Sequence, residues 1–303
     1  MTLNFPHIHL ILNPASGKGR GGRQARRILR QLAALGVHVK EYVTGGRGHA
    51  TDIARQLPDD NLPLLVLGGD GTLNEVVNGL RARSHPVAVL PLGTGNDFAR
   101  LMSLRTVEDT LHAFASGTTR RVDAAVIDVV EEGGAILRRR FINSMGIGFD
   151  AAVAVDVSRA SFGSGILPYL LAVFRVLRHY ASVTATLVYN NEEQNSTLFL
   201  ACIGNGTTSG GGFKLTPLAS PDDGLLDLCH VRHVGTRRVL QVLPLALNGS
   251  HLRAPEVLAA RAAHFDIELD DPLPVHCDGE ILTERARRLI VHCLQHEHIF
   301  FHA

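Results

Sequence analysis

Three short stretches gather glycine around isolated polar side chains: NPASGKGRGG (Asn13 to Gly22), GGDGT (Gly68 to Thr72) and LGTGND (Leu92 to Asp97). Glycine permits positive φ and lets backbone N–H groups approach an anion, and a helix that starts just beyond adds the positive end of its dipole. This is phosphate-binding chemistry. In GGDGT a single acid, Asp70, stands among glycines, and a carboxylate so placed suits a Mg²⁺ ion carried on the phosphates. One glycine-rich turn says little. Three at equivalent places in a fold say much more, so the elements around them decide the reading.

Up to about residue 100, apolar runs alternate with helix-like segments: HIHLIL, then Ala25, Ile28, Leu29, Leu32 and Leu35 at helical spacing, VHVKEYV, HATDIARQL, LPLLVL, LNEVVNGL, VAVLPL and NDFARLM. Continuous apolar strands separated by helices predict a parallel sheet covered on both faces, a doubly wound α/β domain. The glycine-rich turns then lie beyond the carboxyl ends of the strands, where such sheets bind ligands. Asp97 could instead cap the helix beginning NDFARLM.

From about Arg121 the texture changes to VDAAVIDVV, LRRRFINSMGIG, VTATLVYN, STLFLACIG, GLLDLCHV, FDIELD and RRLIVHC, with only Ala151 to Tyr180 and Thr236 to Leu247 helix-like. This predicts a mostly antiparallel β-sandwich domain. The fold class expected is α/β plus β: residues 1–121 form the nucleotide-binding domain, which 293–303 can complete, residues 122–292 form the β-rich domain, and the active site lies in the cleft between them.

Several other chemistries fail on spacing. Gly17, Gly19 and Gly22 match G-x-G-x-x-G with Glu41 further on, but Asn13-Pro14-Ala15-Ser16 separates the glycines from the strand that a dinucleotide fingerprint requires beside them. A P-loop fails because Lys18 is followed by Gly19 rather than Ser or Thr. The balance of 30 Lys+Arg against 29 Asp+Glu and the absence of Trp give no argument for nucleic acid. Cys202, Cys229, Cys277 and Cys293 form no C-x-x-C pair, the start MTLNFPHIHL has no basic leader, and GILPYLLAVF (Gly165 to Phe174) is about half a bilayer span. A cytoplasmic protein with reduced thiols is expected. His292, His296, His298 and His302 suggest a zinc cluster, but His296 and His298 alternate with Glu297 and Ile299 as on a half-buried strand. The apolar run with Pro168, Leu170, Leu171, Val173 and Phe174 fits core better than a lipid gate. Arg23, Arg26, Arg27 and Arg30 form a basic helical stripe: a solvated face, or a contact for anionic lipid headgroups.

Taken in order, Asn13-Pro14, Thr44-Gly45-Gly46-Arg47-Gly48-His49-Ala50, GGDGT, PLGTGNDFAR, NSMGIGFDA, GGGFKLTPLASPDDGLLDL and CDGE resemble the soluble bacterial diacylglycerol kinase-like lipid kinases, which share a catalytic fold with sphingosine and ceramide kinases. GGDGT alone also occurs in NAD kinases; LGTGND with PDDGLLD and DGE favours lipid kinases. The resemblance implies an ATP site lined by Asn13, Thr44, Gly69, Gly71, Thr72, Gly93, Thr94 and Asn96, with Asp70 organising Mg²⁺. It implies a structural Mg²⁺ or Ca²⁺ held by Asp223 and the carbonyls of Ser220 and Leu225, although a plain Asp-Gly turn is the alternative. It further implies that CDGE presents acids to the cleft, Asp278 as general base and Glu280 orienting it or holding a metal-bound water. GTTSGGG (Gly206 to Gly212) departs from the family in having small residues where bulkier ones are expected.

The function expected is transfer of the ATP γ-phosphate to a lipid alcohol at a membrane surface, with diacylglycerol first and a sphingoid base, ceramide or phosphatidylglycerol as other acceptors. NAD kinase and a non-catalytic nucleotide-binding regulator remain alternatives. Peripheral membrane contact follows from a lipid substrate, and a homodimer is left open.

Overall fold

A computed structural model describes residues 5–93, 95–159 and 166–303, with the side chains of 166–170 outside that description. The chain divides into two compact units, one of Met1–Ala124 with Leu294–Ala303 and one of Ala125–Cys293.

The first unit runs β1 (His7–Leu12), α1 (Ser16–Ala34), β2 (His38–Val43), α2 (His49–Arg55), β3 (Leu64–Gly68), α3 (Asp70–Gly79), β4 (Pro86–Pro91), α4 (Asp97–Leu101) and α5 (Val107–Ser116). β2 and β3 flank β1, β4 follows β3, and all these pairings are parallel. The chain-terminal segment adds Ile299 and Phe300 beside Pro86 and Val87, again parallel. Every residue of β3 is buried, as a central strand covered on both faces must be, whereas β2 at the edge is exposed or half-buried throughout. Helix α5 was not expected from sequence. Its start is marked by a capping box, in which Thr106 Oγ1 accepts from the Asp109 N–H and the Asp109 carboxylate accepts from the Thr106 N–H.

The second unit carries β5 (Thr119–Glu131), whose first residues belong to the first unit, then β6 (Ile136–Phe141), β7 (Ser144–Gly148), α6 (Phe149–Arg159), α7 (Ile166–Leu177), β8 (Val183–Tyr189), β9 (Glu192–Leu198), β10 (Leu200–Gly204), β11 (Leu226–Val231), α8 (Thr236–Val242), β12 (Val257–Ala262), β13 (His264–Cys277) and β14 (Glu280–Phe301). Its strand pairings are antiparallel, in the order β12-β11-β10-β7-β13-β14, with β8 also on β13 and β6 on β5. Ile147, Ile203, Leu228, Ile267, Val275 and Leu289 meet in one core, and Phe149, Val153, Val173, Phe199 and Val239 in a second under the helices. The expected single helical stretch from Ala151 to Tyr180 is instead two described helices, α6 and α7. β12 was missed because VLAARA gives no alternation of apolar and polar residues.

No helix among the described residues is long and apolar enough to cross a membrane. In α7, Val173 is buried but Leu171 and Phe174 are about half exposed, so only one face of that helix is core, while Pro168 and Leu170 have side chains outside the described set. The basic stripe of α1 is solvent-exposed, with Arg27 Nη2 bonded to Glu108 Oε1 at 3.2 Å.

Candidate active site

In the first unit the chain leaves β1 for β2 on one side and returns to β3 on the other. The carboxyl ends of β1 and β3 therefore form the point where strand order reverses, the usual ligand crevice of such sheets. Asn13 follows β1 and Thr72 lies in the first turn of α3 after β3; Asn13 Nδ2 donates to Thr72 Oγ1 at 2.9 Å across this point. Thr44 follows β2, is buried, and its N–H donates to the Leu12 carbonyl at 2.9 Å. After β4, Asn96 closes its own turn: Oδ1 accepts from the Gly93 N–H at 2.8 Å and Nδ2 donates to the Gly93 carbonyl at 3.0 Å. The structure thus gathers Asn13, Gly69, Asp70, Gly71, Thr72, Gly93 and Asn96 on one edge of one sheet, with Thr44 on the neighbouring strand. Thr94 lies outside the described residues.

The glycines have a reason that sequence alone does not supply. A Cβ built on Gly69 would lie 2.9 Å from Gly93 Cα, and one on Gly93 would lie 2.6 Å from Gly69 Cα. The second and third turns touch backbone to backbone. A Cβ on Gly17 would meet the Leu92 carbonyl oxygen at 2.0 Å, which ties the first turn to the third. Gly17, Lys18 and Gly19 have successive positive φ of 57°, 61° and 81°, so the start of α1 is an irregular turn rather than a regular helical one. Gly69, expected to line the nucleotide site, has another turn as its immediate neighbour.

Asp70 occupies the first turn of α3, where the helix dipole favours a carboxylate. Its Oδ1 lies 3.4 Å from the Phe98 N–H, and a Cβ on Gly95 would come within 2.7 Å of its Oδ2. A half-buried carboxylate in a glycine cradle is an oxygen donor of the kind Mg²⁺ takes. Asp97 does not cap α4. Asn96, at φ 53°, stands at the cap position, and Asp97 is the first helical residue, buried and bonded to Arg100 Nη2 at 2.5 Å.

Sequence reasoning missed Glu75. Its Oε1 accepts from the Gly48 N–H at 2.7 Å and its Oε2 from the Ala50 N–H at 3.1 Å, so α3 caps α2 and fixes the Thr44–Ala50 loop. Twenty-seven residues separate Glu75 from Gly48, and no local pattern announces such a partner.

In the second unit, β13 and β14 form a hairpin in which Cys277 pairs with Glu280 and the two turn residues, Asp278 and Gly279, have φ of 47° and 83°. This is the Asp-Gly hairpin turn that requires two positive φ values. The Asp278 carboxylate points back into the sheet: Oδ1 accepts from the Asn143 and Ser144 N–H groups at 3.0 Å each, and Oδ2 from the Ile142 N–H at 3.1 Å. A carboxylate holding backbone donors on both oxygens is a poor proton acceptor, because those bonds favour its charged form. Asp278, expected as the general base, has both carboxylate oxygens engaged by backbone donors. Glu280 is half-buried at the start of β14.

PDDGLLD also differs from expectation. Asp223 Oδ1 accepts from the Leu225 N–H at 3.0 Å, and its Oδ2 is bonded to Arg261 Nη2. Arg261 Nε reaches Asp227 Oδ2 at 3.2 Å. Burial pushes the Asp227 carboxyl up, and the guanidinium opposes that shift. Ser220 Oγ donates to Asp222 Oδ1 at 2.8 Å. A single guanidinium bonds both Asp223 and Asp227, so the Asp223 side chain is already engaged where the resemblance implied a structural Mg²⁺ or Ca²⁺ held with the carbonyls of Ser220 and Leu225. On chelator-stripped protein, the expected result is a melting temperature that added Mg²⁺ or Ca²⁺ leaves unchanged and that falls when Arg261 is replaced by Met. Stripped wild-type protein that melts later in Mg²⁺ or Ca²⁺ would restore the cation.

GTTSGGG folds into a tight turn. Ser209 and Phe213 exchange backbone bonds of 2.8 and 3.0 Å, and Gly210, Gly211 and Gly212 all have positive φ. The four C-terminal histidines form no ligand group among the described residues; His292 instead packs on His264, Nδ1 to Nδ1 at 3.0 Å.

The family models match in the same order. The diacylglycerol kinase catalytic domain matches residues 7–127, and the YegS C-terminal NAD kinase β-sandwich-like domain matches residues 143–293. A diacylglycerol kinase of Staphylococcus carnosus (strain TM300) is 31% identical over 89% of this chain and 87% of its own length. Among solved structures, a diacylglycerol kinase of Bacillus anthracis str. Sterne superposes with a TM-score of 0.72 at 20% identity, covering 99% of this chain and 98% of that one. Yeast NADH kinase, solved with NADH, superposes with a TM-score of 0.56 at 12% identity, covering 99% and 84%.

Proposed function

The chain belongs to the bacterial diacylglycerol kinase-like lipid kinase family, and from that premise we propose that it transfers the γ-phosphate of ATP to the hydroxyl of diacylglycerol, giving phosphatidate and ADP. The observation that carries this reading is the meeting of three glycine-rich turns at the β1/β3 switch point, with Asn13 bonded to Thr72 and Gly69 against Gly93.

On this reading the turns of the first unit bind the nucleotide, with Asn13, Thr44, Gly69, Gly71, Thr72, Gly93, Thr94 and Asn96 as the contacts. Asp70 would hold Mg²⁺, which when bound neutralises charge on the phosphates. The lipid oxygen attacks the γ-phosphorus, the bond from that phosphorus to the β,γ-bridging oxygen breaks, and ADP leaves with the bond's electrons. Glu280 takes the hydroxyl proton. Asp278 holds the hairpin that presents Glu280, and so acts as a positioning residue. The protein works in the cytoplasm and visits the membrane, with the exposed Arg23, Arg26 and Arg30 supporting contact with anionic headgroups.

The test is a panel of lipids in mixed vesicles incubated with protein, Mg²⁺ and γ-labelled ATP. Label in phosphatidate is expected. Label confined to a phosphorylated sphingoid base, ceramide or phosphatidylglycerol would move the acceptor. Label in NADP without vesicles would make the protein a NAD kinase, and intact ATP under all conditions would make it a binding protein.

A further inference from the structure

We propose that His9, Asp60 and His85 form a binding site for a first-row divalent transition metal, with Zn²⁺ the cation their chemistry suits best, on the edge of the parallel sheet opposite the glycine-rich turns. Among the described residues this is the group of histidine, cysteine and acidic side chains close enough to share an ion: one donor atom of each lies within 4.8 Å of the others. All three belong to the first unit.

The placement comes from the sheet. His9 is the third residue of β1, Asp60 lies in the connection leading to β3, and His85 immediately precedes β4. Parallel strands bring their amino-terminal ends to one edge, so residues scattered over the sequence meet there, and the nucleotide turns follow the opposite ends.

The side chains are those of a nitrogen-rich metal site. His9 and His85 are 2% and 3% exposed, whereas Asp60 reaches solvent and leaves a route for an ion. His9 Nε2 lies 3.0 Å from Asp60 Oδ2, and His85 Nδ1 lies 3.9 Å from Asp60 Oδ1. Zinc bonds of about 2.0–2.1 Å in a tetrahedron put ligand atoms about 3.3 Å apart, between these two separations. Tyr42 Oη lies 3.5 Å from the other nitrogen of His9, where an outer partner can orient a ligating imidazole. His85 Nδ1 now donates to the Leu62 carbonyl at 2.7 Å. Coordination through Nδ1 exchanges that bond for the metal and leaves the ring proton on Nε2.

The ligand set is two imidazoles and a carboxylate, with water completing the tetrahedron, a donor mixture that favours Zn²⁺ over Mg²⁺ or Ca²⁺. Such an ion would tie β1, β4 and the connection before β3 together without touching the phosphate turns.

The experiment uses the full chain, stripped with chelator, dialysed, and titrated at neutral pH with Zn²⁺ alone and with Co²⁺ alone. One equivalent should bind, Co²⁺ should give the visible absorption of a tetrahedral site, and the melting temperature should rise with Zn²⁺. Outer-partner substitutions cost such sites about 10–100-fold in affinity, so Asp60→Asn, which keeps the side chain's shape at a partly exposed position, should weaken binding by at least about tenfold while nucleotide affinity holds. His85→Gln should do the same. The paired His264→Ala and His292→Ala substitutions should leave binding unchanged. Absence of a stoichiometric site, full-strength binding in Asp60→Asn, or loss of binding only when His264 and His292 are replaced would each overturn the proposal.

Discussion

Glu280→Gln is expected to lower lipid phosphorylation by about 10²–10⁴-fold, the usual contribution of a general base, while leaving the melting temperature and ATP affinity near those of the parent. The amide keeps the shape of the side chain and removes its ability to accept a proton. Asp278→Asn should behave differently. Both Asp278 oxygens accept backbone N–H groups, from Ile142 on one side and from Asn143 and Ser144 on the other. An amide nitrogen in place of either oxygen would face a donor, leaving a buried N–H unpaired at a cost of about 1–3 kcal/mol. Asp278→Asn should therefore melt earlier, and any loss of turnover should follow the loss of folded protein. The two variants are read together by steady-state rates and thermal melts on the same preparations. Near-parental turnover in Glu280→Gln would remove it as the base and leave Asp70 as the acid to test.

The second large effect is on stability. Gly69→Val and Gly93→Val each place a side chain into a backbone contact whose Cβ distance is already 2.9 or 2.6 Å. The opposing atom is a main-chain Cα, which cannot rotate aside as a side chain can, so one turn must move. Overpacking of this kind costs about 1–3 kcal/mol, and each kcal/mol is worth at least roughly 2–4 °C of melting temperature in a unit of this size. Both variants should melt several degrees early, and ATP affinity should fall because the turns separate. Calorimetric titration beside a melt distinguishes the cases. A variant that melts like the parent yet has lost ATP would show that these glycines clear space for ligand and not for each other.

These two results differ in how far the sequence foretold them. The alternation of apolar runs with helical periodicity, the change of texture near Arg121 and the position of three glycine-rich turns after apolar strands are local properties, each legible from residues within a few positions of one another. They determined the α/β and β domains and marked Asn13, Gly69, Asp70 and Gly93 as candidates for phosphate binding. The Asp-Gly pair of CDGE likewise announced a hairpin, since few other residues tolerate two successive positive φ values.

What the neighbours of those residues are was decided only by tertiary structure. Asp278 meets Ile142–Ser144 more than 130 residues away, Glu75 reaches back to Gly48, Arg261 closes on Asp223, and Gly69 lies against Gly93. An acid in a sequence is a candidate base, ligand or cap alike, and its role depends on which donors the fold brings to its oxygens. His9, Asp60 and His85 carry no motif at all. They meet because parallel strands align their amino-terminal ends, and spacing along the chain records nothing of which residues a sheet sets side by side.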